Sequence, residues 1–273
     1  MPVCISQLIH ESRRCLGAAM ARCRLHQICY VDQDELAVVM KSRRSGSRVA
    51  IFIGNLYLML QKCGVEILAT DEWIRWEITV QNAIDRADGV KKTELIADNS
   101  HTFTRRHVSG SSLRDVLKED RYSEEVKFSA IGWAVDSLCQ LHHRSADWGS
   151  GVNQSVSHGD ATVNNVIVDV DLQQAIWIDF DMRHLPHVPE LDRRADDLRA
   201  LVFSAAACLP VSRLPRLAET AFESLNDRCL QTRFRDRLTN EWGEFNTFQL
   251  AQAPLSWSAK KLLTELLLKQ EAV

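Results

Sequence analysis

Hydrophobic and polar positions change period several times along the chain, and the changes mark its elements. Within residues 5–29, Leu8, Ile9, Cys15, Leu16, Met20, Cys23 and Leu25 recur at helical spacing between basic positions, which predicts an extra helix at the start of the chain. From Glu35 the pattern turns to β. Residues 36–40, 49–53 and 56–62 read as three strands in succession with short turns, an antiparallel meander. A helical run over 71–86 follows, with Trp73, Trp76, Val80 and Ile84 on one face, and residues 91–97 and 101–108 predict two further strands. Residues 123–142 form a long amphipathic helix with Ser123 as N-cap and Val126, Phe128, Ile131, Val135, Leu138 and Leu141 facing inward. Two β-prone runs, 165–168 and 175–178, are joined by a polar stretch and predict a hairpin. Beyond Ala195 the pattern is helical over 196–207, 213–225, 232–242 and 258–269, broken by Pro210, Pro215 and Pro254.

The hairpin gives chemical meaning to the residues at its two ends. It is preceded by Ser157-His158-Gly159-Asp160-Ala161-Thr162-Val163-Asn164-Asn165 and followed by Asp179-Phe180-Asp181. A His-Gly-Asp triplet alone is usually a turn, since Gly and Asp favour positive φ and local side-chain bonds. Pairing of the two strands, however, carries Asn165 and Asp179 to the same end. Phosphoryl transfer needs a carboxylate to orient and deprotonate the acceptor hydroxyl, and a separate amide and carboxylate to hold Mg²⁺. Asp160 stands five positions before Asn165, and Asp179 follows one hairpin later, the order that chemistry uses.

These residues resemble the His-Gly-Asp catalytic loop of the kinase-like phosphotransferase superfamily: aminoglycoside phosphotransferases, choline and sugar kinases and related bacterial enzymes. The Asp-Phe-Asp ending is similar to that of lipopolysaccharide core kinases. The resemblance implies an α+β, bilobal protein-kinase-like fold, with a small antiparallel β lobe over 1–108, a mainly α lobe over 109–273, and ATP between them with Mg²⁺. It implies Asp160 as the catalytic base and Asn165 and Asp179 as metal ligands. Lys62, ending the third predicted strand, falls where the lysine for the α- and β-phosphates belongs, with Glu77 on the 71–86 helix as its partner; Lys41 competes for the lysine role. Residues 106–113 resemble a hinge, so backbone groups near His107 and Val108 should meet adenine. Asp197, in the helix after the metal corner, should tie down the catalytic-loop backbone. The Ser45-Gly46-Ser47 turn stands where a kinase folds its first hairpin over the phosphates, but it lacks the Gly-x-Gly-x-x-Gly pattern and reads equally as an ordinary turn.

Composition narrows the remaining choices. At 273 residues and 45% apolar the chain can bury the cores of two small lobes, and a net charge of −3 argues against a general nucleic-acid binder. The basic run 41–48 reads as a solvated loop. Eight cysteines are scattered without a Cys-x-x-Cys pair, as in a cytosolic protein with reduced thiols. No uncharged run approaches the about 20 residues of a membrane span, which leaves peripheral membrane contact open. His142, His143, His184 and His187 lack the accompanying ligand pattern of a zinc site, and no Gly-x-Ser-x-Gly elbow supports a hydrolase.

The acceptor expected on this reading is a hydroxyl of a small molecule or saccharide. The alternatives are a kinase-like regulatory or binding module and a Ser/Thr protein kinase. Retention of Asp160, Asn165 and Asp179 favours activity. His-Gly-Asp in place of His-Arg-Asp, the absence of an Ala-Pro-Glu segment and the short 181–194 connection disfavour a protein kinase.

Overall fold

A computed structural model describes residues 25–33, 36–60, 62–88, 96–99, 102–147, 153–239 and 255–270. The predicted helix over 5–24 lies outside them. Helices alternate with small antiparallel sheets. The first sheet has strand order β1-β2-β5-β4, from β1 (His26–Gln33), β2 (Leu36–Arg43), β4 (Ile96–Asn99) and β5 (Thr102–Arg106). β1 and β2 form a hairpin whose register runs from His26↔Arg43 to Gln33↔Leu36. Residues 26–29 are therefore strand, and the helix expected over 5–29 does not reach them. Residues 26–33 do not alternate apolar and polar positions, since Ile28, Cys29, Tyr30 and Val31 are consecutive, so the strand has no period of its own to end the helical spacing.

The larger correction follows β2. Residues 49–53 and 56–62 are not strands: Ser47–Leu60 is one helix, α1, entered through a turn at Gly46 with φ +85°. The stretches 49–53 and 56–60 within it are apolar throughout, so they satisfy periods of 2 and 3.6 alike, and 14 residues without proline decide for helix. α1 buries Ser47, Ile51, Gly54 and Leu58, and the Asn55 amide clamps the backbone of Ile67, donating to its carbonyl at 2.9 Å and accepting from its N–H at 2.7 Å. Ile67 belongs to β3 (Val65–Ile67), which pairs antiparallel with β11 (Met182–His184). The described small-lobe sheet thus has four strands where five were expected.

Helix α2 (Thr70–Asp88) runs as predicted for 71–86 and buries Trp73, Trp76, Glu77 and Val80. Residues 107–110 lead out of β5 into β6 (Ser111–Ser112) and α3 (Leu113–Lys118), whose N-cap Ser112 accepts from Asp115 N–H at 3.1 Å. Ser123 caps α4 (Glu124–His142) in the same way, accepting from Val126 N–H at 3.3 Å. A short pair, β7 (Ser145–Asp147) and β8 (Asn153–Ser155), precedes the loop 156–165. The predicted hairpin is β9 (Val166–Asp169) with β10 (Gln174–Trp177), and β6 adds to its free side. Helices α5 (Glu190–Ala206), α6 (Leu214–Glu223), α7 (Arg228–Thr239) and α8 (Trp257–Lys269) follow, with α4–α8 around one continuous core that extends to Trp73 and Phe103. None of the described cysteines is in a disulfide, and no helix among the described residues is long and apolar enough to cross a membrane.

Candidate active site

The loop 157–165 is held by bonds that leave its polar side chains pointing at one another. Gly159 sits at φ +77°, and a Cβ there would meet the backbone of Arg183 at 2.9 Å, so only glycine fits between the loop and β11. His158 is fully buried beside Trp177 and Phe180. Its Nε2 faces the carbonyl of Ile178 at 2.9 Å and must carry the proton, which leaves Nδ1 to accept from Asp160 N–H at 3.3 Å. Burial also keeps this imidazole neutral by lowering its pKa.

Asp197, on α5, anchors the loop from beneath. One carboxylate oxygen accepts from His158 N–H at 2.7 Å and from His142 Nε2 at 2.9 Å, and the other accepts from Gly159 N–H at 2.9 Å. Burial pushes the pKa of this carboxyl up, but the interactions with His184 and His142 outweigh it and hold the group below the usual carboxylate range. The tie between Asp197 and the loop backbone expected from the sequence is present, and His142 at the end of α4 is a partner the sequence did not suggest.

Asp160 and Asn165 face each other across the loop. Asn165 Nδ2 donates to the Asp160 carbonyl at 2.8 Å and to its carboxylate at 3.0 Å, fixing the carboxylate and turning the amide oxygen Oδ1 away as a potential ligand atom. Ile178 N–H donates to Asn165 O at 2.9 Å, so the first residue after β10 is tied to the residue before β9 and Asp179 follows at the same end. Asp179 adopts φ +69°, a left-handed conformation that a non-glycine residue keeps only where its surroundings impose it.

Across from this corner, β2 delivers Lys41, whose buried ammonium forms an ion pair with Asp179 Oδ1. Lys41 also stands 5.0 Å from the ring centre of Trp73, and Arg43 stands 4.7 Å from the same ring while donating to Leu68 O at 3.0 Å. Glu77, one turn beyond Trp73 on α2, accepts from Phe180 N–H at 2.9 Å. The cluster is electrostatically tight. Burial acts to lower the pKa of Lys41, yet Asp179, Glu77 and Asp181 together raise it above its ordinary value. Asp179 is the mirror case: burial acts upward, but Lys41 and His26 hold it well below the carboxylate range. Asp181 is pushed up to about 7 by burial and by the charge of Asp179. His26 of β1 packs 4.5 Å from Trp73 with Nδ1 3.5 Å from Asp181, and burial and the Lys41 charge lower its pKa to about 2. His26, Asp179 and Asp181 offer ligand atoms within 4.8 Å of one another.

The structure thus assembles Lys41, Glu77, Asp160, Asn165 and Asp179, and leaves out Lys62. Lys62 does not end a strand: it follows α1 at φ 54°, is exposed, and lines a separate pocket with His187, Val188 and Pro189. The physical reason is the helix itself, which carries the 56–62 segment away from the sheet; the strand that does run past Glu77 is β2, and its lysine is Lys41. The Ser45-Gly46-Ser47 turn likewise joins β2 to α1 rather than closing the first hairpin. His107 is exposed and Val108 half-buried in the connector after β5, with the His107 ring 6.0 Å from Tyr30. Sequence reasoning missed His26, Arg43 and Asp181 as members of the site; only Asp181 had a local signal, as the last residue of Asp-Phe-Asp.

No family model and no curated protein matches the chain. Among solved structures, one similar chain is described as "A divergent kinase lacking the glycine-rich loop regulates membrane ultrastructure of the Toxoplasma parasitophorous vacuole", with a TM-score of 0.37 and 13% identity over 98% of this chain and 91% of that chain. A likeness of that size carries neither fold nor activity across.

Proposed function

We propose that this chain is an ATP- and Mg²⁺-dependent phosphotransferase with a kinase-like fold, moving the γ-phosphate to a hydroxyl of a small molecule or saccharide. One observation carries the reading: a lysine from a strand, a glutamate from a helix, and the Asp160, Asn165 and Asp179 set meet in one place although they lie between positions 41 and 179. Lys41 is a buried cation suited to phosphate oxygens, and Glu77 both favours its charged form and holds the backbone of Phe180 next to Asp179. Asp179 and the Asn165 amide oxygen are hard ligands of the kind Mg²⁺ takes, so the donor set fits that ion. Bound there, Mg²⁺ would neutralise charge on the phosphoryl group. Asp160, oriented by Asn165 Nδ2, would receive the proton of an acceptor hydroxyl. The short 181–194 connection, which holds β11 and the first turn of α5, supports a small acceptor over a protein substrate.

The test is transfer of labelled γ-phosphate to aminoglycosides, sugars, amino alcohols and lipopolysaccharide core fragments, with generic protein substrates as control. Asp179→Ala should abolish Mg²⁺-dependent turnover. Asp160→Asn should lower transfer by about 10²-fold or more with ATP affinity little changed. Undiminished transfer in Asp179→Ala overturns the assignment, and ATP binding without transfer to any acceptor favours a regulatory module.

A further inference from the structure

Helix α1 faces the wrong way for a soluble surface. Its buried side is small and partly polar, being Ser47, Ile51, Gly54 and Leu58 with the half-buried Asn55 beside them, whereas its outward side carries Val49, Phe52, Ile53, Leu56, Met59 and Leu60, each 44–70% exposed. At 100° per residue these six fall within one continuous arc, opposite the side clamped to β3 by Asn55. Together they expose on the order of 700 Å² of apolar surface, more than the roughly 300–600 Å² of the largest patch on a typical monomer. Nothing in the phosphotransfer reading uses this face.

Charge around the helix says what would cover it. From Leu36 to Val65 the chain contains no Asp or Glu, but it contains Lys41, Arg43, Arg44, Arg48 and Lys62. Lys41 and Arg43 belong to the site. Arg44, Arg48 and Lys62 are exposed and bracket the apolar arc at both ends of the helix. A local excess of positive charge on a chain whose net charge is −3 is complementary to an anionic surface. Bulky apolar groups facing outward between arginines and lysines are the pattern of a helix that lies in the interface of a bilayer, apolar side among the acyl chains and cations at the headgroups.

We propose that the outward face of α1 docks the protein onto an anionic phospholipid bilayer. This surface is independent of the catalytic residues, so its failure and that of the phosphotransfer reading are separable. The test is co-sedimentation of the full chain, without nucleotide, with vesicles of phosphatidylcholine alone or with about a third phosphatidylglycerol, together with light scattering of the protein in solution. Wild type should sediment with the mixed vesicles and much less with phosphatidylcholine alone. Phe52→Ser/Leu56→Ser/Met59→Ser should stay in the supernatant with its thermal unfolding unchanged, because these side chains make no core. Arg44→Glu/Arg48→Glu should bind mixed vesicles at least tenfold more weakly, since each basic residue near such a surface contributes severalfold. The proposal is overturned if wild type sediments with neither vesicle, if it binds both equally, or if the triple variant binds as wild type does. A wild-type dimer that the triple variant dissociates, with no vesicle binding, overturns it in favour of a second copy of the chain as the occupant.

Discussion

Removing the Asp197 carboxylate tests how the catalytic loop is held. In Asp197→Ala, the N–H groups of His158 and Gly159 and Nε2 of His142 lose their shared acceptor in a part of the molecule where Asp197 and His158 are fully buried. Leaving a buried donor unsatisfied costs about 1–3 kcal/mol, and three donors lose this acceptor at once. A loss of about 4 kcal/mol is therefore expected, against the 5–15 kcal/mol typical of a folded domain. For a chain of this size it corresponds to a fall of about 10 °C in Tm. Asp197→Asn keeps the shape and one acceptor oxygen but turns an amide donor toward the other donors, so it should fall between the two. Urea denaturation of the three proteins measures the differences.

The sign of the pH dependence follows from the lowered pKa of Asp197. Its stabilising contribution is complete above the unfolded carboxylate value of about 4 and is lost as pH falls below it toward the folded value. The gap between wild type and Asp197→Asn should therefore be constant above about pH 5 and shrink in acid. A Tm for Asp197→Ala within about 2 °C of wild type would refute the reasoning, because no arrangement of buried unpaired donors costs so little.

Other perturbations address single links in the site. Lys41→Ala should weaken ATP binding at least tenfold and Lys62→Ala should leave it unchanged, by calorimetric titration; the reverse result would return the phosphate lysine to the segment after α1. Gly159→Ala should destabilise the protein by about 1–3 kcal/mol, from positive φ and the 2.9 Å approach to Arg183, and equal denaturation midpoints would disprove that crowding. Asp181, with its carboxyl raised to about 7, favours the folded state when protonated, so its ionisation costs stability as pH rises from about 4 to 7. Asp181→Asn should flatten that decline and exceed wild type in stability at about pH 8, and parallel pH profiles would show that Asp181 does not carry it.

What the sequence revealed, and what it hid, divides by the range over which each signal acts. The pairing of β9 with β10 is local, and its period, turn and flanking residues all fall within 165–179, so the meeting of Asn165 and Asp179 could be inferred from spacing. α2 and α4 were legible for the same reason, each having a capping or periodic signal of its own. α1 was illegible because its outward face is as apolar as a core while its buried side is small and partly polar: the apolar period points away from the side that is inside, and only the clamp of Asn55 on Ile67, supplied by the fold, shows which side that is. The position of the lysine depends on this helix: a strand over 56–62 would bring Lys62 beside Glu77, but Ser47–Leu60 is helical and the lysine on the sheet is Lys41, 138 residues from the Asp179 it contacts. β3 and β11, three residues each and separated by more than a hundred positions, leave no periodic trace, yet their pairing fixes the backbone beside Asp181 and Gly159. The residues that do chemistry could thus be named from their own short segment, whereas the residues that set their charge, His26, Lys41 and Arg43, come from a hairpin more than a hundred positions away, whose place beside that segment only the folded chain supplies. Mutations at those three positions should for that reason shift the electrostatics of Asp179 and Asp181 without touching the loop that contains Asp160.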